Sequence, residues 1–96
     1  MVEIVWTETS LSNIEEIAAY ISQDSVFYAQ ILVKKLFSIE EILTAHPRFG
    51  RMIPEAGYDD FLREVIEGNV RIFYEIKSES RIEILAVYHS SRNIVF

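Results

Sequence analysis

Cysteine is absent from this chain of 96 residues, and proline and glycine are scarce, with two and three residues respectively. Without cysteine the chain forms no disulfide and offers no thiolate as a nucleophile or metal ligand. Three glycines are too few for a phosphate-binding loop, and no Gly-x-Ser-x-Gly motif occurs. The two histidines, His46 and His89, lack a carboxylate at a metal-binding spacing. The sequence therefore predicts neither a metal site nor a cofactor.

Long apolar runs and a basic leader are missing as well. No segment approaches the ~20 consecutive apolar residues of a membrane-spanning helix, and the first residues carry Glu3 instead of a cationic stretch. We therefore expect a cytoplasmic protein that does not bind membranes. Apolar residues make up 50% of the chain. That share is enough for one hydrophobic core, so residues 1–96 are expected to form a single domain.

Positive charge is in short supply and unevenly distributed. The net charge of −6 argues against direct, sequence-specific nucleic-acid binding, because phosphate recognition needs clustered cations. Residues 1–45 contain seven acidic residues and two lysines, whereas residues 46–96 contain eight acidic and seven basic residues. All six arginines lie in the second half. Any cationic binding surface is therefore expected there.

The first quarter of the chain predicts a strand followed by a helix. Residues 2–7 are rich in β-branched and aromatic types, which is typical of a strand. Apolar residues then recur every three to four positions, which predicts an amphipathic helix over 10–22. Ser12 and Glu15 have the spacing of a capping box at its start.

A second and longer helix is predicted after a short break. Asp24 or Ser25 is the expected N-cap, and Pro47 ends the helix near His46. The two helices should form a hairpin. Their apolar stripe is too wide to face a sheet completely, and the surplus residues are Leu11, Phe27, Ile31, Phe37 and Ile42.

The second half of the chain predicts a long loop and three strands. Residues 47–58 contain both prolines and two glycines, and the strands are expected over 61–66, 70–76 and 82–88. Gly68-Asn69 predicts a tight hairpin between the first two. The order β-α-α-β-β-β predicts an α+β fold, an antiparallel sheet with the N-terminal helical hairpin packed on one face. The other face is expected to stay partly open.

Several arginines are candidates for a site that recognises an anionic group, because guanidinium groups suit carboxylates and phosphates. These are Arg51, Arg63, Arg71 and Arg92. Strand alternation predicts that Arg71 faces solvent, and the two-residue turn places Ile66 opposite Arg71 and Arg63 opposite Tyr74. Arg63 and Arg71 therefore need not share a face.

Structural roles are equally open for these side chains. Glu64 and Glu75 lie near Arg71 across the hairpin, so cross-strand ion pairing would also explain it. His89, at the end of the last strand, has the chemistry of a general base but no evident partner. His46 lies at a helix end, where a C-terminal cap is the simpler explanation.

Motifs over nearly the whole sequence resemble ParE-type toxins of the RelE/ParE superfamily. The most specific are Pro47-Arg48-Phe49-Gly50-Arg51, Arg71-Ile72-Phe73-Tyr74 and His89-Ser90-Ser91-Arg92. Further similarity covers Trp6-Thr7-Glu8, Ile14-Glu15-Glu16-Ile17, Tyr20-Ile21 and Arg63-Glu64-Val65. These motifs occur in order, on the elements that the periodicity predicts independently.

The resemblance implies a type II toxin of the kind found in plasmid stabilisation, neutralised by a cognate antitoxin and poisoning DNA gyrase so that cleaved DNA accumulates. RelE-type relatives share the fold but cut mRNA on the ribosome with basic residues and a C-terminal Tyr or His. Here Ile66 stands where those relatives tend to place a basic residue, and the last residue is Phe96. Both departures favour a gyrase inhibitor that acts by binding and is not itself a catalyst.

On that interpretation, target or antitoxin recognition involves Arg51, Arg63, Arg71, His89 and Arg92. The first alternative is a ribosome-dependent endoribonuclease, in which His89 or Arg92 would be the proton donor or acceptor. The second is a decayed, non-toxic binding module of the same fold. The apolar surplus of the helices is expected to form a groove for an antitoxin helix, and a homodimer would use the same surface.

Overall fold

One strand, three helices and then four strands follow one another over residues 2–90, which are those that the computed structural model describes. The elements in chain order are β1 (Glu3–Trp6), α1 (Glu8–Ser22), α2 (Val26–Phe37), α3 (Ile39–Ala45), β2 (Arg51–Met52), a single 3-10 turn (Pro54–Ala56), β3 (Leu62–Glu67), β4 (Val70–Ser78) and β5 (Arg81–His89). The predicted α+β class is confirmed.

The sheet has five strands in the order β1-β5-β4-β3-β2. β2 to β5 are antiparallel to their neighbours, whereas β1 pairs parallel with β5. The expectation of a wholly antiparallel sheet was therefore wrong for β1. The reason is the long helical crossover, which carries the chain over the sheet and leaves β1 at the far edge in the direction of β5.

The first helix begins earlier than the capping box indicated. Its N-cap is Thr7, whose hydroxyl oxygen accepts a hydrogen bond from the Ser10 N–H at 3.2 Å. The same hydroxyl donates to the Ile84 carbonyl of β5 at 2.7 Å. The prediction of a helix start at a Ser12 capping box was wrong. Local residue spacing gives no sign of the Thr7 contact with β5, because β5 lies far away in sequence.

The second predicted helix is two helices. Ser25 is the N-cap of α2, as one of the two predicted choices, and its hydroxyl accepts from the Tyr28 N–H at 3.1 Å. The break lies at Ser38, whose hydroxyl donates to the Lys35 carbonyl at 2.6 Å. A serine hydroxyl bonded to the preceding turn competes with helix continuation. His46 is the C-cap of α3, as predicted.

The hairpin between β3 and β4 has the predicted register. Ile66 lies opposite Arg71, and Arg63 lies opposite Tyr74. Gly68 in the turn takes a φ of 58°, which favours glycine. Two residues of the predicted loop, Arg51 and Met52, form β2 at the edge of the sheet.

The core lies between the helices and one face of the sheet. Its most deeply buried side chains are Ile17, Leu36, Leu43, Ile72, Tyr74, Ile82, Ile84 and Val87. Phe37 packs against Trp6 with ring centres 4.7 Å apart, so it belongs to the core margin and not to the exposed surplus. The helices cover only this face. The arginines of β2 and β4 lie on the opposite face.

Candidate functional site

The open face of the sheet is the surface of β2 to β5 opposite the helices. Directly paired residues of neighbouring strands point to the same side, so the pairing register identifies its members. They are Arg51, Glu64, Ile66, Arg71, Phe73 and Tyr88. We call these six residues the open face.

A buried carboxylate lies at the centre of the open face. The Glu64 side chain is 0% exposed, and its Oε2 atom is 2.5 Å from Arg51 Nη2 and 2.7 Å from Arg51 Nε. Its Oε1 atom is buried too and lies 3.7 Å from Arg71 Nη1, beyond hydrogen-bond distance. Within residues 2–90 that oxygen accepts no hydrogen bond. Glu64 thus holds two arginines from different strands.

Both arginine side chains remain about half exposed above this carboxylate. The predicted cross-strand pairing of Arg71 with Glu64 is confirmed, and Arg51 joins it through β2. Two cations around one anion leave a net positive charge. Such a pair can bind a carboxylate or phosphate, or can stack on an aromatic ring.

Apolar and aromatic side chains surround the arginines. Ile66 is exposed beside Arg71, and Tyr88 is exposed on the next strand, opposite Arg71. The Tyr88 ring meets Phe73 edge to face, with centres 5.4 Å apart and planes at 78°. Arginine together with aromatic and aliphatic groups is a composition typical of protein interfaces.

Arg63, a predicted member of the same cluster, lies on the helix side of the sheet and is only 8% exposed. Its Nε donates to the Asp60 carbonyl at 2.8 Å, its Nη1 to the Gly50 carbonyl at 2.8 Å, and its Nη2 to Asp60 Oδ1 at 2.5 Å. These donors are used within the protein. Arg63 therefore fixes the loop before β3.

Tyr74 holds the other side of that loop. Its hydroxyl donates to the Pro47 carbonyl at 2.8 Å and accepts from the Gly50 N–H at 2.9 Å. A Cβ atom at Gly50 would lie 2.7 Å from both the Glu64 carbonyl oxygen and Tyr74 Cε1, so no side chain fits there. Burial raises the pKa of Tyr74. The sequence indicated a special role for the glycine of the Pro-x-x-Gly-Arg motif, but it did not indicate that Tyr74 is the partner of this glycine.

Asp60 joins two arginines at the surface of the loop. It accepts from Arg48 Nη2 at 2.9 Å and from Arg63. The hydrogen bonds from Arg48 and then Arg63 lower the pKa of its carboxyl group. Arg48 also lies over the Phe61 ring, 5.7 Å from its centre, in a cation–π contact.

Of the two C-terminal candidates, only His89 lies within the described residues, and it is not part of the open face. His89 is partly buried and lies opposite Val70, so it is on the helix side at the end of β5. Arg92 and Phe96 lie outside the described residues. Among residues 2–90 no group of three His, Cys, Asp or Glu side chains is arranged to hold a metal ion.

The outer surface of α1 and α2 is a second candidate site. Four of the five surplus residues are exposed, as predicted: Leu11 on α1, Phe27 and Ile31 on α2, and Ile42 on the neighbouring α3. Val26 and Tyr28 add to this surface. A cleft between the two helices is lined by Ala18, Ala19, Ser22, Val26, Ala29, Gln30, Val33 and Lys34. Over residues 2–90, no helix has the length and apolar character needed to cross a membrane.

Comparison with known proteins gives one family. Residues 4–94 match the family model described as "ParE toxin of type II toxin-antitoxin system, parDE". The match covers the open face, the loop before β3 and the outer surface of the helices. No match was found among curated proteins.

Proposed function

The chain belongs to the ParE family of type II toxins, and on that premise we propose that it inhibits DNA gyrase by binding the enzyme. The family implies an antitoxin as its regular partner. As a gyrase inhibitor, the protein would act in the cytoplasm as one domain, with no cofactor. Its action would trap gyrase on cleaved DNA.

The observation that supports binding over RNA cleavage is the pairing of Arg51 and Arg71 with the buried Glu64 carboxylate. A surface that cuts RNA must hold phosphates with uncompensated cations. Here one carboxylate offsets part of that charge. Ile66 and Tyr88 stand beside the arginines, where a protein partner would bury them.

The predicted site residues take different parts in this proposal. Arg51 and Arg71 contact the target directly from the open face. Arg63 acts indirectly, because it holds the chain on both sides of β2, at Gly50 before it and at Asp60 after it. His89 and Arg92 contribute from the C-terminal end, with no catalytic step.

In this proposal the antitoxin binds the outer surface of α1 and α2. Exposed Phe27 and Ile31, beside the cleft between the helices, suit an apolar helix or strand of a partner chain. A second copy of this chain would bury the same residues. The mass of the toxin in solution, with and without antitoxin, separates these two occupants.

Induction of the toxin alone in bacteria tests the proposal. The expected result is growth arrest with double-strand breaks in DNA and intact mRNA. Arrest with cut mRNA that is lost in His89→Ala or Arg92→Ala variants of unchanged fold would instead establish the ribonuclease alternative. Normal growth with folded toxin would leave a binding module that has lost toxicity.

A further inference from the structure

The loop before β3 exposes three aromatic side chains. Phe49 is 55% exposed, Tyr58 62% and Phe61 51%. We call residues 47–61 the aromatic loop. Large apolar groups gathered on one surface segment mark interaction sites more often than single exposed ones do.

The backbone of the aromatic loop is held near its two ends by side chains of the sheet, and at Tyr58 by the bond from its N–H to the Ile53 carbonyl at 3.1 Å. Tyr74 binds Pro47 and Gly50, and Arg63 binds Gly50 and Asp60, all from within the sheet. A loop that is already ordered loses little conformational entropy when it binds a partner. The aromatic loop is therefore presented as a preformed surface.

Tyr58 has a backbone conformation that its side chain disfavours. Its φ is 58°, and it follows Gly57 with a φ of 76°. The left-handed region is unfavourable for a bulky residue, and glycine would adopt it without strain. The exposed Tyr58 ring makes no aromatic contact within residues 2–90. No aromatic contact in the described part of the chain therefore accounts for a tyrosine at this position.

The charges of the aromatic loop indicate the partner. Arg48 is paired with Asp60, and Arg51 with Glu64. Glu55 and Asp59 are exposed, and neither forms an ion pair in the part of the chain that is described. Asp59 Oδ1 accepts a hydrogen bond from the Phe61 N–H at 2.8 Å, which leaves its negative charge uncompensated. Two carboxylates without an ion pair beside exposed aromatic rings suit a protein surface that carries basic residues, and they repel nucleic acid.

We propose that the aromatic loop docks on the toxin's target protein, with Tyr58 entering an apolar pocket whose rim is basic. This inference rests on the proposed function and extends its contact surface beyond the open face. The aromatic loop includes β2, which carries Arg51 of that face. It lies at the β2 edge of the sheet, whereas α1 packs on β5 and leaves its outer surface with α2 for the antitoxin.

The test compares Tyr58→Gly with the wild type in binding to purified gyrase, in thermal unfolding and in growth arrest. Tyr58→Gly should melt no lower than the wild type, because glycine accepts the positive φ. Its affinity for gyrase should fall by ~30-fold, as for loss of an aromatic anchor in an interface. Tyr58→Asn, which also tolerates this φ, guards against an unexpected folding defect.

Two further variants complete the design. Glu55→Gln combined with Asp59→Asn should slow association with gyrase and make it less sensitive to salt. Phe27→Gln on α2 is the matched control, since it removes an equally exposed aromatic group from the other surface. It should bind gyrase as the wild type does.

The outcomes separate this inference from the proposed function. Full affinity and full toxicity of folded Tyr58→Gly would overturn the role of the aromatic loop, with gyrase still the target. If the wild type arrests growth without binding gyrase, the proposed function fails. Loss of arrest in Tyr58→Gly then supports the aromatic loop, and retained arrest overturns it. A wild type that neither binds gyrase nor arrests growth would overturn both.

Discussion

At the scale of single residues, strand register decides what each arginine can do. Arg63 and Arg71 both lie in the β3–β4 hairpin, yet they point to opposite faces. Arg63 is buried and donates its hydrogen bonds to the loop, whereas the Arg71 side chain is half exposed and lies over Glu64. Alternation along β4, together with the two-residue turn, predicted that the two arginines need not share a face. It could not predict the carbonyl groups that Arg63 binds, because a loop brings them from other parts of the chain.

Tyr74→Phe should destabilise the protein although it removes only one oxygen atom. The Pro47 carbonyl and the Gly50 N–H would both lose their partner, and an unsatisfied buried polar group costs about 1–3 kcal/mol. Urea unfolding measures the loss. Tyr88→Phe on the open face is the control, since its ring is exposed. Equal stability of the two variants would contradict the role given to the Tyr74 hydroxyl.

Asp60 should make stability depend on pH on the acidic side. Its pKa is lowered from 3.8 by Arg48 and Arg63, so the ionised form favours the folded state. This contribution is present above pH 3.8 and is lost as the pH falls through the lower folded pKa. Asp60→Asn should therefore be less stable than the wild type at pH 7, and the difference should shrink as the pH falls below 3.8.

Stability curves of the two proteins across this pH range check the sign. Glu79→Gln, at an exposed turn without an ion pair in the described chain, is the control. A gap between wild type and Asp60→Asn that stays constant down to the lowest pH would show that the ion pairs of Asp60 do not stabilise the fold.

At the scale of elements, long periodic segments could be predicted and short or tertiary ones could not. β4 could be predicted because four of its alternate residues are apolar. The structure buries all four. β2 has two residues and exists only because Arg51 and Met52 pair with β3. The break at Ser38 and the parallel pairing of β1 also depend on packing, for which apolar periodicity gives no signal.

Thr7→Val tests the start of α1. The change keeps the shape of the side chain but removes the cap to Ser10 and the bond to Ile84. Loss of an N-cap costs about 0.5–2 kcal/mol, and unfolding in denaturant should show a loss in this range. Ser12→Ala is the matched comparison, because Ser12 is exposed inside the helix. A larger loss in Ser12→Ala would restore the capping box that the sequence indicated.

At the scale of the whole molecule, the fold sorts an acidic chain into surfaces of different character. The net charge is −6, yet the open face gathers Arg51 and Arg71. The helices carry exposed apolar groups on the side away from the sheet. The sequence predicted that the arginines and the apolar surplus matter, but not that Glu64 links two of the arginines, since that contact needs β2.

Supercoiling of plasmid DNA by purified gyrase, in the presence of increasing toxin, tests the central claim most directly. The account predicts that the wild type blocks supercoiling and accumulates cleaved DNA. An Arg51→Gln, Arg71→Gln double variant that remains folded should need at least about tenfold more protein, as expected for loss of interface contacts of 1.4 kcal/mol or more. Unimpaired supercoiling at toxin concentrations that arrest growth would contradict it.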